Sequence, residues 1–234
     1  IFLSSQPTKV SEFSVTWFRD RRDNPADAIH GSFSTVDVSL AGKPIGSSAS
    51  FLRVFVQNST FHPIKRRFVF ARSFRFGVQT PVGDTVSSEI PLPERFFAGG
   101  GSSLRGFGLN QAGPRDPTTG FPIGGQAMLL LNQELRFPMR LPFVGNRLGG
   151  ALFYDAGNVF MRVGRITLRA APPEPVTNEL NYLSHTIGFG FRYLTPIGAV
   201  RVDLGYQLNP AKFLVPDGLG GLTTARLPRF QFFF

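Results

Sequence analysis

The feature that most constrains this chain is a period of two. In residues 183–193, Ile187, Phe189, Phe191 and Tyr193 alternate with Ser184, Thr186, Gly188, Gly190 and Arg192. Successive side chains of a strand point to opposite faces, so this pattern reads as a strand with one oily and one polar side. It recurs. Residues 11–20 set Phe13, Val15 and Trp17 against Ser14 and Thr16, and residues 34–40 set Val36, Val38 and Leu40 against Thr35, Asp37 and Ser39. Residues 126–137 place Leu129, Leu131, Leu135 and Phe137 opposite Asn132, Glu134 and Arg136. Residues 149–160 place Leu152, Tyr154 and Phe160 opposite Asp155 and Gly157. Residues 199–206 place Val200, Val202, Leu204 and Tyr206 opposite Arg201, Asp203 and Gly205. Phe230, Phe232 and Phe234 end the chain opposite Gln231.

Two further stretches are mixed. Residues 50–60 put Leu52, Val54 and Val56 opposite Arg53 and Gln57, but Phe51 and Phe55 share the arginine's side. Residues 67–77 put Phe68, Phe70, Phe74 and Phe76 opposite Ala71, Ser73 and Arg75, with Arg72 on the apolar side, at an interface or snorkelling. The count is about nine strands and no helix, with a tight turn at Thr195, Pro196, Ile197 and Gly198 and loops at residues 163–180 and 207–227.

A soluble sandwich or lipocalin-like barrel would hide its apolar face. Here the polar face carries glycine, serine and arginine, with glycines inside strands, while the other face is continuous Phe, Leu and Val. That is the dyad signature of a transmembrane β-barrel, with strands of about ten residues, lipid-facing apolar side chains and a polar lumen. Lipid demands closure, because an open edge leaves amides unpaired in hydrocarbon. Nine strands is an odd number, so further strands are expected before Ile1, and the chain stops within a strand-like alternation.

Composition narrows the rest. No cysteine is present, which excludes a disulfide scaffold or cysteine metal site. The net charge is +10, yet the basic residues recur singly among apolar ones, unlike a nucleic-acid module. No apolar run approaches the roughly 20 residues of a spanning helix. His30, His62 and His185 lack ligand spacing, so no metal is expected.

One stretch is unpatterned. Residues 81–125 form a connection of about 45 residues, a length that marks a functional or disordered segment. Phe96, Phe97, Phe107 and Phe121 give it apolar anchors, so it is expected to fold back into the structure with Arg105 near its tip. AGGGSS lacks the flanking strand and helix of a phosphate cradle. Ser102 and Ser103 show no G-x-S-x-G elbow. Asp20 and Asp23 read as a salt-bridged turn with Arg19, Arg21 and Arg22 rather than an acid/base pair.

RDRRDNPADAIHGS, FFAGGGSSLRGFG, NQELRFP, FYDAGNVF, GFGFRYLTPIGAVRVDLGYQLNP and the Phe-rich end, in that order, resemble the BamA-type outer-membrane assembly barrels, the bacterial surface antigen family. The resemblance implies a 16-stranded antiparallel transmembrane barrel, of which residues 1–234 would form the C-terminal portion, strands 8 to 16, after periplasmic POTRA domains. It implies a lumen-inserted loop whose tip, Arg105, Gly106 and Phe107, meets lumen partners Glu134, Asp155 and Gly157, and a C-terminal strand signal in Phe230, Phe232 and Phe234. It implies an outer-membrane location in a Gram-negative bacterium or derived organelle. The implied partners are lipid and lipopolysaccharide, nascent outer-membrane proteins, POTRA domains and lipoproteins, without nucleic acid. Insertion makes and breaks no bond, so neither catalytic residues nor cofactors are expected. The alternatives are a TamA-like or two-partner-secretion translocation channel, and an outer-membrane hydrolase. Independently of that resemblance, the alternation puts Glu134 and Asp155 on the polar face. A guanidinium in a water-poor lumen needs such partners, and its planar fork can bond two carboxylates at once.

Overall fold

The computed structural model describes residues 8–65, 68–141, 145–195, 198–218 and 221–234. Pro196 and Ile197 of the expected turn, Arg67, and Ile1 lie outside the described residues. The strands are β1 (Glu12–Asp20), β2 (Gly31–Ala41), β3 (Phe51–Ile64), β4 (Phe68–Pro81), β5 (Ala127–Leu141), β6 (Gly145–Phe160), β7 (Ser184–Thr195), β8 (Gly198–Gln207), β9 (Lys212–Pro216), β10 (Leu222–Arg226) and β11 (Phe230–Phe233). Nine form one antiparallel sheet in the order β1-β2-β3-β4-β5-β6-β7-β8-β11. Each strand therefore pairs with its sequence neighbour until β8, after which the β9–β10 hairpin intervenes before β11. The sheet is open in this chain: β1 and β11 are its two edges.

The connections sort by side. Residues 21–30 and the C-terminal ends of β3, β5 and β7 lie at one end, and residues 42–50, 82–126, 161–183 and the described part of 208–229 lie at the other. In outer-membrane barrels the short turns are periplasmic and the long loops extracellular, which orients the sheet.

The two faces differ as the alternation requires. Leu152, Ile187, Phe189, Phe191, Tyr193 and Val200 are exposed on the outer face, while Asp155, Thr186, Arg192 and Asp203 on the other are buried. Among the described residues no second layer covers the outer rows, and lipid is the solvent that fits them. Arg72 does stand on this face, where its Nε donates to Thr60 Oγ1 of the adjacent strand at 2.9 Å.

The long loop, residues 82–126, lies against the inner face from β3 to β8. The loop doubles back on itself through isolated pairings Phe96↔Gly125, Ala98↔Ala112 and Arg115↔Pro122. Leu104, Phe107 and Ala112 pack with Met128 and Leu130 of β5, Val159 of β6, Leu180, Tyr182 and Phe213 in a buried apolar cluster. This explains the mixed pattern of β3. Phe51 is fully buried against Ile90 of the loop, and Phe55 stacks on Phe96 with centroids 6.4 Å apart. An inward phenylalanine is satisfied because the loop brings its own apolar surface into the lumen.

Two sequence expectations are corrected. Phe160, assigned to the lipid face with Leu152 and Tyr154, is fully buried, and the root of the loop lies on its backbone, with Gln126 N–H donating to its carbonyl at 3.1 Å. Residues 207–227, expected as a loop, contain β9 and β10. The run KFLVP has no alternation and ends in proline, so its strand character comes from pairing with β10.

Phe189 lies near the middle of β7 on the exposed face. Phe189→Arg is expected to cost about 2–4 kcal/mol, the depth-dependent penalty for a cation facing the hydrocarbon midplane. Denaturant titration of refolding into phospholipid vesicles measures it.

Candidate functional site

Arg105 sits at the bottom of the loop, against the inner face of β5, β6, β7 and β8, and is 4% exposed. Its Nε and Nη2 donate to the two oxygens of Asp155, each at 2.8 Å, forming a bidentate pair with β6. Its backbone N–H also donates to Asp155 Oδ2, at 3.1 Å. Nη1 donates to Glu134 Oε2 of β5 at 2.9 Å and lies 3.6 Å from Asp203 Oδ2 of β8. The guanidinium carbon stands 3.5 Å over the ring of Phe153. Burial alone would disfavour the charge, but the hydrogen bonds and field of Asp155, with those of Glu134, hold the pKa above the ordinary arginine value.

The bed under the tip is made by omission of side chains. A Cβ on Gly106 would lie 2.1 Å from Thr186 Oγ1, and one on Gly205 would lie 2.0 Å from the Arg105 carbonyl oxygen. Gly205 inside β8 thus marks where the loop backbone approaches the sheet. The preceding turn is fastened as well: Arg75 Nη2 of β4 donates to the Ser102 carbonyl at 2.5 Å, and Asn132 Nδ2 of β5 donates to the Ser103 carbonyl at 2.6 Å. The AGGGSS stretch closes on itself, with Gly99 N–H donating to Ser103 Oγ and Gly100 N–H to the Phe107 carbonyl.

The structure therefore gathers Arg105, Gly106, Glu134 and Asp155 at one point. Phe107 lies just above, 2% exposed, in the apolar cluster. Gly157 has a different place from the expected loop-tip partner. A Cβ there would meet the Leu129 carbonyl oxygen at 2.3 Å, so Gly157 lets β5 and β6 close together. Phe230 and Phe232 are exposed on the outer face of the edge strand, and Phe234 follows them; Phe230 packs on Tyr206 with centroids 4.9 Å apart. Asp20 pairs with Arg22, whereas Asp23 accepts backbone N–H groups of Asn24, Ile29 and His30.

Sequence reading placed Arg136, Arg192 and Asp203 on polar strand faces without naming their partners, and missed Asp27. Glu134 Oε1 accepts from Arg136 Nε at 2.8 Å and from Arg192 Nη2. Both arginines also face Asp27, at 3.4 and 3.8 Å, from the 21–30 connection at the short-turn end. Asp203 completes the set. Asp27, Arg136, Arg192 and Asp203 carried a weak signal, since three of them lie on polar strand faces, but no periodicity assigns a residue of an irregular connection such as Asp27. The result is a ladder of alternating charge from the short-turn end to the loop tip. A polar cavity of about 220 Å³ adjoins it, lined in part by Ser59, Arg75, Asn132 and Arg201.

A one-sided lipid-facing sheet with a charge-locked loop inside it defines an outer-membrane β-barrel. Its relatives agree. The Omp85 superfamily domain matches residues 2–232. The outer membrane protein assembly factor BamA of Nitratidesulfovibrio vulgaris is 26% identical over 201 residues, 85% of this chain and 23% of that protein. BamA of Neorickettsia risticii is 30% identical over 217 residues, 89% of this chain and 26% of that protein. The human sorting and assembly machinery component 50 homolog is 30% identical over 155 residues, 64% of this chain and 31% of that protein. A crystal structure of BamA from Haemophilus ducreyi lacking POTRA domains 1-3 superposes with a TM-score of 0.68 at 20% identity, covering 94% of this chain and 41% of that one. The chain belongs to the Omp85 superfamily, as a barrel of the BamA type. It spans about a quarter of the length of the bacterial relatives named here.

Arg105→Ala leaves Asp155 and Glu134 buried without their cation and is expected to cost about 3–5 kcal/mol. Gly106→Ala is expected to release the loop similarly, by collision with Thr186. Both are read as new protease cleavage within residues 96–116 of the folded protein.

Proposed function

We propose that this chain is the C-terminal part of an outer-membrane barrel that assembles and inserts other β-barrel proteins, preceded in the whole protein by further strands that pair with β1 and by POTRA domains. The observation that carries the reading is the guanidinium of Arg105 held by Asp155 and Glu134 against the inner face of the sheet. A pore for solutes needs an open lumen, and here the inner face of β3 to β8 carries an ion-paired, apolar-packed loop. An exposed strand edge is a template for another strand. Catalysis by such a machine lowers the barrier to insertion and changes no covalent bond. The names of the bacterial and human relatives, an assembly factor and an assembly machinery component, support the same role.

The partners follow from the surfaces. Nascent outer-membrane proteins would meet the β11 edge. Lipid, with lipopolysaccharide in the outer leaflet, would meet the Phe and Leu rows. Periplasmic POTRA domains and lipoproteins would lie at the short-turn end, near the Asp27 connection. The loop would hold the wall rigid while the edge strand exchanges partners.

The test is insertion of an unfolded β-barrel substrate into vesicles that carry the full-length protein. Asp155→Asn is expected to slow insertion by about tenfold or more, since breaking a buried pair of this kind costs about 3–5 kcal/mol. Undiminished insertion by Asp155→Asn and Arg105→Ala would overturn the reading. Export of a soluble passenger in place of insertion would favour a translocation channel.

A further inference from the structure

The loop holds a second buried arginine, ten residues past the tip. Arg115 is 6% exposed. Its Nη1 donates to the Gly120 carbonyl at 2.9 Å, and its Nη2 to the Gln111 carbonyl and Gln111 Oε1 at 2.9 and 3.1 Å. Unlike Arg105 it has no carboxylate among these partners. The adjacent Asp116 is turned to the backbone and hydroxyls of Thr118 and Thr119. A buried cation without a counter-ion is costly, and burial pulls the Arg115 pKa below the ordinary arginine value. What offsets that cost is the ring of Phe213 in β9, whose centroid lies 4.2 Å from the guanidinium carbon.

The residues around Phe213 are gripped as well. Asn178, from the β6–β7 connection, accepts from Leu214 N–H at 2.7 Å and donates to the Leu214 carbonyl at 3.0 Å, so its amide takes the place of a strand neighbour. The Asn178 carbonyl accepts Arg115 N–H at 2.8 Å. Gly120 faces Val215 so closely that a Cβ would lie 2.7 Å from Val215 Cγ1. Three consecutive residues of β9 are thus clamped by the loop and by Asn178. The β9–β10 hairpin is the insertion between β8 and β11, and Leu227 N–H donates back to the Ala211 carbonyl at 3.0 Å, closing it just before β11. Among the described residues β11 has one strand neighbour, β8.

We propose that Arg115 is a positioning residue that seats the β9–β10 hairpin on the loop and so fixes the edge strand β11 from its outer end, independently of the Arg105 ion pair. The importance of this latch rests on the proposed use of the β11 edge in assembly; its physical existence does not.

Hydrogen exchange of the full-length protein in phospholipid vesicles tests it without any substrate. Arg115→Met keeps the length and removes the charge and its ring contact. Amides of residues 208–233 are expected to exchange roughly tenfold faster, the scale of a desolvated cation–π contact, while β5 and β6 stay unchanged. Gly120→Cys with Val215→Cys then restores the hold by a different bond. The two Cβ positions lie about 3.6 Å apart, within the range a disulfide spans. Gly120 has φ +72°, so its cysteine is strained, but equally in the oxidised and reduced forms. In the Arg115→Met background, with other cysteines replaced, oxidation is expected to return residues 208–233 to slow exchange and reduction to reverse it. Should Arg115→Met fail to fold, Phe213→Leu removes the ring face alone and is expected to give the same regional acceleration. Unchanged exchange in residues 208–233, acceleration shared equally by β5 and β6, or no rescue by the bridge would overturn the latch. A latch that behaves as expected in a protein that inserts no substrate would overturn the assembly reading and leave the latch standing.

Discussion

A guanidinium taken out of water must find carboxylates, and the geometry around Arg105 follows from that need. Two oxygens of Asp155 and one of Glu134 meet it in the plane of its fork, on adjacent strands. The strand pairing sets those acids on a diagonal, Glu134 opposite Phe153 and Asp155 opposite Asn132, the lumen-facing parity points them inward, and Gly205 in β8 clears the floor on which the tip rests. None of the three groups is tolerable in its place without the others. That mutual dependence lets so long a connection behave as part of the wall.

The same loop changes the nature of the lumen. A strand sheet in a membrane has its oily side outside, which leaves the inner side without an apolar core. Here the upper part of the inner side acquires one, because Leu104, Phe107 and Ala112 carry apolar surface inward and meet Met128, Leu130 and Val159. The lower part stays ionic, with Arg136 and Arg192 bridging Glu134 to Asp27. Apolar packing favours the loop's insertion, and the charge ladder gives that insertion a unique seat. Such ionic groups specify position more than they add net stability.

The two arginines of the loop divide their labour by partner type. Arg105 is answered by acids on the strands that form the centre of this sheet. Arg115 is answered by carbonyl oxygens and an aromatic ring in the excursion that leads to the edge. The proposed assembly role would need a rigid wall and a separately held margin, and these contacts would supply the two by different chemistry.

The strands, their number in the main sheet and the lipid-facing rows were legible in the sequence, because a period of two is a local property that lipid on one side enforces. The parity of Glu134 and Asp155 was legible for the same reason. Tertiary structure alone decided what the loop covers. It turned Phe51 and Phe160 into buried side chains, half-buried Phe55 against Phe96, gave β9 and β10 strand character through pairing, and assigned Gly157 to strand packing. It also recruited Asp27, whose neighbours in sequence say nothing of Arg136 and Arg192. Those outcomes depend on which surfaces meet across long sequence separations, and a pattern of adjacent residues records only which way each side chain points.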